Sequence, residues 1–385
     1  MRRLLPCLLA LLANVTIGAI GASPALATDA FDPTGASPQK TERWAKLELL
    51  TDPSERMVQE RFIPLVEHHD PEVVAGFGGD ASPPSSQVLL HYAKGWDEAT
   101  ADTPVVLVHG AGLTSNHCYA DQPIGQPYEG MAPRLARAGR AVFAVTFAHM
   151  HGDNFLQAEA LANAIARVKH VTGKARVDLV AHSKGGMAAR IYVSDLNPSW
   201  GTRYRKDVRR YVMLGTPNGG IDVSFAYPNL NYWVLENKAA APLSWTEGLY
   251  WGKWLDWRER SLYREGAFPG QAQMVARWDH RVGRTRAEGQ FDVTTTYEGG
   301  RGQVSVSRGI ERAIEEGGDL IARLAQKPAH ADVELAVLAG TSNWIMHLVG
   351  ERRGPSDGLL LVASALDVEP MTKKGAKLIR ARSCT

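Results

Sequence analysis

The sequence predicts an α/β protein with a mostly parallel sheet, helices on both faces of that sheet, and an aromatic-rich insertion. From about residue 103, short runs that are apolar throughout alternate with segments of helical periodicity. Such runs are typical of strands buried on both faces, and strands that alternate with helices form a parallel sheet between helical layers. The alternation stops after Gly219 and resumes near Val333, which marks the insertion.

Each element follows from its own pattern. Leu161, Ile165 and Val168 recur at helical spacing and Gly173 supplies a stop signal, so an amphipathic helix is predicted over 154–171. Two further helices are expected over 129–138 and 184–196. Because Pro and Gly cluster in residues 70–86, that stretch is predicted as a loop. Strands are predicted over 87–92, 104–108, 140–147, 177–181, 210–215, 333–338 and 376–383.

The first 27 residues predict a secretory signal peptide. Arg2 and Arg3 precede a mostly apolar run, and an A-x-A cleavage pattern ends at Ala27. An uncleaved membrane anchor is the alternative. We therefore expect a secreted protein, extracellular or periplasmic. Without this leader the basic and acidic residues balance, and nothing in the composition indicates a nucleic-acid-binding face.

The strongest functional signal is the hexapeptide Ala-His-Ser-Lys-Gly-Gly at 181–186, which follows a predicted strand and opens a predicted helix. A nucleophile elbow needs a small residue two positions before the serine and a glycine two positions after it, because the turn brings backbones close together. Ser183 is therefore the candidate nucleophile. It would lie beside a helix N-terminus, whose dipole stabilises an anion.

A second motif, His-Gly-Ala-Gly at 109–112, directly follows the predicted strand 104–108. In acyl transfer, the oxygen of the tetrahedral intermediate needs preplaced backbone N–H donors. The N–H groups of Ala111 and Lys184 are the candidate donors.

These two motifs, together with Val-Met-Leu-Gly-Thr-Pro at 212–217, resemble the α/β-hydrolase superfamily. The alanine-first box is similar to that of bacterial class 2 lipases, and residues 171–183 also resemble extracellular polyhydroxyalkanoate depolymerases. The resemblance covers 103–217 well and 333–385 moderately. It implies a serine hydrolase of carboxylic esters, with Ser183 as nucleophile and an oxyanion hole formed by Ala111 and Lys184.

The predicted organisation has three parts. Residues 1–27 are the signal peptide, 28–102 an N-terminal extension, and 103–385 an α/β-hydrolase catalytic domain with a cap or lid insertion at about 217–330.

The catalytic acid is expected after the strand 333–338. Asp357, in Gly-Pro-Ser-Asp-Gly, resembles the acid-bearing loop of the family, where an ionised carboxylate orients the histidine and stabilises its charged form. An ordinary turn is the alternative interpretation of this segment. Asp222 and Asp332 are weaker candidates.

The catalytic histidine is not evident. Chain order in this fold is serine, acid, histidine, but no histidine follows His347. We expect the general base a few residues beyond residue 385, in a chain that continues past the sequence given. Two alternatives stay open: His347 acts from an unusual position, or catalysis has been lost.

Three other features have competing interpretations. His149 and His151 have metal-like spacing, but no second ligand cluster accompanies them, so they are interpreted as part of a loop lining the site. Cys118 and Cys384 could pair in an oxidising compartment, although the sequence does not show that they approach each other. On a helix, the tryptophans of the insertion would form one stripe, either packed in the core or facing acyl chains or a polymer surface. These are Trp251, Trp254 and Trp257.

The first functional hypothesis is a lipase or esterase that needs no metal or organic cofactor and acts on an acyl ester or lipid. A polyester depolymerase and an acyltransferase are alternatives with the same chemistry. A secreted, non-catalytic lipid- or polymer-binding protein is an alternative of another class. The oligomeric state is left open.

Overall fold

The computed structural model describes residues 41–122, 129–283, 292–341, 353–375 and 377–379. The described strands, in chain order, are β1 (Lys46–Thr51), β2 (Gln87–Tyr92), β3 (Val105–Val108), β4 (Val142–Phe147), β5 (Val177–His182), β6 (Val208–Leu214), β7 (Glu247–Tyr250), β8 (Lys253–Asp256), β9 (Gly300–Arg301), β10 (Ser305–Ser307), β11 (Glu334–Leu338) and β12 (Leu378–Ile379).

The described helices lie between these strands. They are Pro71–Gly76, Met131–Arg137, Asn154–Thr172, Gly185–Val193, Val223–Ala226, Asn229–Glu236, Pro269–Ala272, Asp279–Val282, Val293–Glu298, Ile310–Glu316, Leu320–Ala325, Val362–Ala365 and Glu369–Thr372, with a π-helical turn at Asn116–Ala120 and a 3₁₀ turn at Arg258–Arg260. Among the described helices, none combines the length and the apolar character that crossing a bilayer requires.

Eight strands form the main sheet in the order β1-β2-β4-β3-β5-β6-β11-β12. Only β2 runs against its neighbours, pairing antiparallel with β1 and β4, and the other pairs are parallel. The molecule therefore has the α/β-hydrolase fold, as predicted. The predicted strands and helices of residues 87–215 are all present, with ends that differ by a few residues.

The two faces of the sheet pack into separate apolar layers. On β3, Val106 and Val108 lie in one layer together with the helix Asn154–Thr172, whereas Val105 and Leu107 lie in the other. Successive residues of a strand point to opposite faces, and an apolar layer covers each face of this sheet. All four side chains are therefore fully buried. This double burial is the reason that the strand sequences are continuously apolar.

The predicted loop at 70–86 is wrong at its first residues, which form the helix Pro71–Gly76. Asp70 caps this helix by accepting a hydrogen bond from the backbone N–H of Glu72 at 2.9 Å, and Pro71 occupies the first turn, where its missing N–H costs nothing. The pair Asp70-Pro71 is therefore the start signal of a helix and not part of a loop. In the segment predicted as an N-terminal extension, β1 and β2 add two strands to the main sheet.

Residues between β6 and β11 contain a second, four-stranded antiparallel sheet in the order β8-β7-β10-β9, together with several short helices. We refer to residues 217–330 as the cap. Its own apolar cluster includes Phe225, Leu243 and Tyr263, and Trp245 is buried as well.

The prediction of a helical tryptophan stripe in the cap is wrong. Trp251 lies in the turn between β7 and β8, and Trp254 lies on β8, so the spacing of three residues spans a hairpin. Trp251 has a positive φ of 49° and is followed by Gly252 at 75°, which are turn conformations that no helix contains. The side chain of Trp251 is 82 % exposed, whereas Trp257 packs against Tyr250.

Candidate active site

Ser183 lies at a sharp turn between β5 and the helix Gly185–Val193. Its φ of 51° is in the left-handed region, which L-residues rarely adopt. The turn is held from two sides: the N–H of Ser183 donates to the carbonyl of Leu214 on β6 at 2.8 Å, and the carbonyl of Ser183 accepts from Gly186 at 3.0 Å. The strained conformation is therefore fixed to the sheet, which is the geometry expected of a nucleophile elbow.

Glycines surround this turn because backbones meet there. A Cβ atom at Gly185 would lie 2.1 Å from the carbonyl oxygen of His109, and one at Gly186 would lie 2.0 Å from Oγ1 of Thr216. A Cβ atom at Gly110 would lie 3.0 Å from Cβ of Ser183. The loop after β3 and the elbow after β5 can approach each other only without these side chains.

Ser183 opens into a largely apolar cavity of about 790 Å³ between the end of the main sheet and the cap. Ala111 and Asp357 line the same cavity, so the structure brings three of the predicted site residues together. The cap supplies most of the apolar wall, including Ile221, Phe225, Leu230, Trp233, Val234, Leu262, Met274 and Val275.

The predicted oxyanion donors lie beside the serine, one as its neighbour in the chain and the other on the loop after β3. Ala111 belongs to the loop that contacts the elbow, and Lys184 directly follows Ser183. In the described part of the chain, no carbonyl or side-chain oxygen accepts a hydrogen bond from either backbone N–H. Both groups are therefore available to a developing negative charge, which is the requirement for an oxyanion hole.

Asp357 is held with one oxygen occupied. Its Oδ1 accepts hydrogen bonds from the N–H groups of Leu359 and Leu360 at 2.9 and 2.8 Å. Oδ2 lies 3.8 Å from the Cβ position of Gly215, beyond the end of β6, and accepts no hydrogen bond from the described residues. Asp357 thus presents a fixed carboxylate oxygen beside the cavity.

The other two candidate acids are engaged elsewhere. Asp222 accepts two hydrogen bonds from the Arg353 guanidinium, at 2.9 and 2.6 Å, and one from the hydroxyl of Tyr297 at 2.9 Å. Asp332 is exposed, with Oδ2 3.4 Å from Nδ1 of His330. The geometry favours Asp357.

Of the described residues that line the cavity, His182 is the one histidine. Its Nδ1 lies 3.8 Å from Sγ of Cys118 and 2.8 Å from the Cβ position of Gly110, on the side of the loop after β3. Burial lowers its pKa, and the nearby charge of Asp357 opposes that effect. His347, the predicted alternative base, lies outside the described residues, as does every residue after 379.

His149 and His151 are buried behind the loop 109–112. Nε2 of His149 lies 3.0 Å from the carbonyl of Arg61, and Nδ1 of His151 lies 2.7 Å from Nε2 of Gln271. Burial lowers the pKa of His149 to about 4 and that of His151 to about 3, so both are neutral at pH 7. In the ranges that the structure describes, no three His, Cys, Asp or Glu side chains gather as metal ligands.

Sequence reasoning missed the side chain of Lys184, which is fully buried. Its Nζ donates a hydrogen bond to Oε1 of Gln157 at 2.5 Å. Burial lowers the pKa of this amine to about 7, although the nearby carboxylates of Glu60 and Asp153 stabilise its charged form. Cap residue Gly270 packs on it so closely that a Cβ atom would lie 2.0 Å from Cε of Lys184. These contacts join distant segments, so no local pattern could have predicted them.

Cys118 is half-buried near the elbow, and burial raises the pKa of its thiol to about 11. Its predicted partner, Cys384, lies outside the described residues.

Comparison with known families bears directly on this site. Residues 102–235 match the family model of class 2 lipases. This part of the chain resembles the class 2 lipases. The matched segment contains the loop after β3 and the elbow, with Ala111, Ser183 and Lys184, and ends within the first part of the cap. The match supports a hydrolase of the lipase or esterase type.

Solved structures give weaker likenesses. The mature lipase BlEst2 of Bacillus licheniformis aligns over 73 % of this chain and 84 % of its own, with 15 % identity and a TM-score of 0.41. A gene product of Listeria innocua aligns over 72 % of this chain and 82 % of its own, with 14 % identity and a TM-score of 0.34. At such scores the likeness adds nothing to the functional argument, which depends on the class 2 lipase match and on the site.

Proposed function

We propose that this protein is a secreted serine ester hydrolase that acts on lipid-like carboxylic esters. One observation carries the proposal: a serine in a strained turn after β5 shares an apolar cavity with Ala111 and with the half-free carboxylate of Asp357. A hydroxyl, backbone donors and an orienting acid are the parts that acyl transfer through a covalent intermediate requires.

In the proposed mechanism, Oγ of Ser183 bonds to the ester carbonyl carbon while a histidine accepts the hydroxyl proton. The oxygen of the tetrahedral intermediate accepts hydrogen bonds from the N–H groups of Ala111 and Lys184. The histidine then protonates the departing alcohol, and Asp357 orients and stabilises the charged imidazole. Water cleaves the acyl-enzyme by the same route, which releases the acid and restores Ser183. We place this histidine outside the described residues, where His347 is one candidate.

The cavity favours an ester with a single apolar chain as the substrate, rather than a polymer. Pockets for small ligands commonly measure about 300–1,000 Å³, so about 790 Å³ of largely apolar space accommodates an extended acyl chain. A polyester would instead be bound along an open surface, and the exposed side chains of Trp251 and Trp254 on the cap hairpin are the observation that favours it. Export follows from the leader-like residues 1–27.

The proposal is tested by labelling with a fluorophosphonate, which reacts with activated serines. We expect labelling of the wild type and a loss of at least about a hundredfold in Ser183→Ala, because the hydroxyl is the attacking group. Ser224→Ala, which removes a different hydroxyl from the same cavity, is the matched control and keeps the label. Equal labelling of wild type and Ser183→Ala would refute the assignment.

Two further measurements separate the alternatives. Release of acid from esters, measured with water alone and with added alcohol, distinguishes a hydrolase from an acyltransferase. Lipid binding without any labelling or turnover would favour the non-catalytic lipid-binding protein.

A further inference from the structure

Gln271, in the cap helix Pro269–Ala272, lines the otherwise largely apolar cavity. Its side chain is 92 % buried, at 8 % relative exposure, and its Oε1 has no hydrogen-bond partner among the described residues. Leaving a buried amide oxygen unpaired costs free energy of about 1–3 kcal/mol. Because the residue that carries this oxygen lines the cavity, a small rotation of the side chain would present the amide to a ligand there.

Two contacts locate Gln271 at the elbow end of the cavity. The preceding residue, Gly270, packs against the side chain of Lys184, the neighbour of the nucleophile. His151, which holds the Gln271 amide, has its Cε1 atom 3.2 Å from the Cβ position of Gly112 in the loop that carries Ala111. Gln271 therefore lies at the end of the cavity that is nearest to the elbow.

The side chains of His151 and Gln271 are hydrogen-bonded to each other, and each keeps one polar atom without a partner among the described residues. His151 is packed edge-on against Phe268 at 4.9 Å, and its Nε2 is buried without a partner among the described residues. If the Gln271 amide N–H donates to Nδ1, then Nε2 carries the proton of the neutral ring and Oε1 is a free acceptor. With the amide rotated by half a turn, the cavity receives an N–H donor instead. A hydroxyl group satisfies both arrangements, because it donates and accepts.

We propose that Gln271, held in place by His151, is a specificity-determining residue that hydrogen-bonds a hydroxyl group on the alcohol part of the substrate. The inference rests on the proposed function and narrows its substrate class to esters of polyols, such as monoacylglycerols. The apolar wall suits the acyl chain, so the polar side chain of Gln271, near the elbow, is left for the alcohol part. Simple alkyl esters of the same acid lack the group that pairs with Gln271.

The hydrolytic test compares 1-monododecanoylglycerol with propyl dodecanoate, which share the acyl chain. We expect kcat/KM to favour the glycerol ester by about tenfold, the worth of one good hydrogen bond, and Gln271→Met to reduce this ratio to near one. His151→Phe, which removes the anchor but keeps the packing on Phe268, reduces the ratio to an intermediate value. Met274→Leu changes the same wall without a polar group and leaves the ratio unchanged.

Two outcomes would overturn the inference: equal use of both esters by the wild type, or a fall in both rates in Gln271→Met at constant ratio, which would place the amide on the reacting carbonyl. Loss of turnover in every protein would instead refute the proposed function. For that case, binding of 1-O-dodecylglycerol and dodecyl propyl ether to Ser183→Ala is followed by tryptophan fluorescence. A tenfold preference for the glycerol ether that Gln271→Met abolishes supports the inference, and equal affinities contradict it.

Discussion

The sheet side and the cap side of the cavity are held by different kinds of contact. On the sheet side, backbone atoms fix the site: the N–H of Ser183 donates to a carbonyl of β6, and Gly185 allows its main chain to touch that of His109. On the cap side, polar side chains join residues that are far apart in the sequence, 131 residues apart for Asp222 and Arg353. The backbone-held side is specified by short local motifs, whereas the side-chain-held side depends on distant pairs.

The sharpest way to break the cap side is to remove one member of its buried ion pair. Arg353→Met leaves the Asp222 carboxylate buried without its main partner, so we expect a loss of about 3–5 kcal/mol in the free energy of unfolding. Urea denaturation measures the loss. The double variant Asp222→Asn, Arg353→Met removes both charges and should recover most of it. A single-variant loss below about 1 kcal/mol would contradict this description of the cap.

The sheet side is broken by adding a single carbon atom. Gly185→Ala inserts Cβ into the carbonyl of His109, so overpacking should cost about 1–3 kcal/mol even though alanine favours helices. Thermal unfolding measures this cost, and labelling of Ser183 should fall with it because the turn is displaced. Gly173→Ala is the comparison: its φ is 67° but nothing lies within 4 Å of the new carbon, so only strain of about 1–2 kcal/mol is added and labelling persists. Full labelling of Gly185→Ala would show that the contact is dispensable.

Acid should weaken the sheet side first, because the strongly buried histidines lie outside the cap. Burial lowers the pKa of His91, His109 and His151 to about 3, and of His68 and His149 to about 4. Between these values and pH 6.5 the unfolded chain binds more protons, so stability is lost as the pH falls through this window. Each histidine contributes up to about 1.4 kcal/mol per pH unit.

Urea titrations at pH 7, 6 and 5 should therefore give a falling free energy of unfolding. His91→Gln removes one of the titrating groups, so its slope should be smaller by up to about 1.4 kcal/mol per pH unit. Stability that is constant between pH 7 and 5 would mean that these rings are protonated in the folded protein.

The same contrast explains what the sequence could predict. The strands of the main sheet were predictable because burial on both faces makes them continuously apolar. The elbow was predictable because its tight turn requires small residues on either side of the serine, here Ala181 and Gly185. The cap hairpin was misjudged: a spacing of three residues is compatible with a helix or a turn, and only the positive φ of Trp251 distinguishes them.

Other parts of the site had no local signal at all. The contact of Lys184 with Gln157 and the pairing of His151 with Gln271 depend on segments 27 and 120 residues apart. The partner of each side chain lies in another segment, so neither contact is visible until the chain brings the two segments together. Such contacts are visible in a structure, whereas the hydrophobic periodicity of the sequence does not reveal them.

The close contact of Gly270 with Lys184 has a consequence for how a substrate reaches Ser183. Along this seam the cap packs directly on the buried side chain of Lys184, so lifting the cap there would break close contacts of a packed layer. Two other residues that line the cavity, Trp233 and Leu359, are about half exposed, so the cavity opens to solvent beside them. We therefore expect an ester to enter past these two residues, while the cap stays packed on Lys184 at the opposite side.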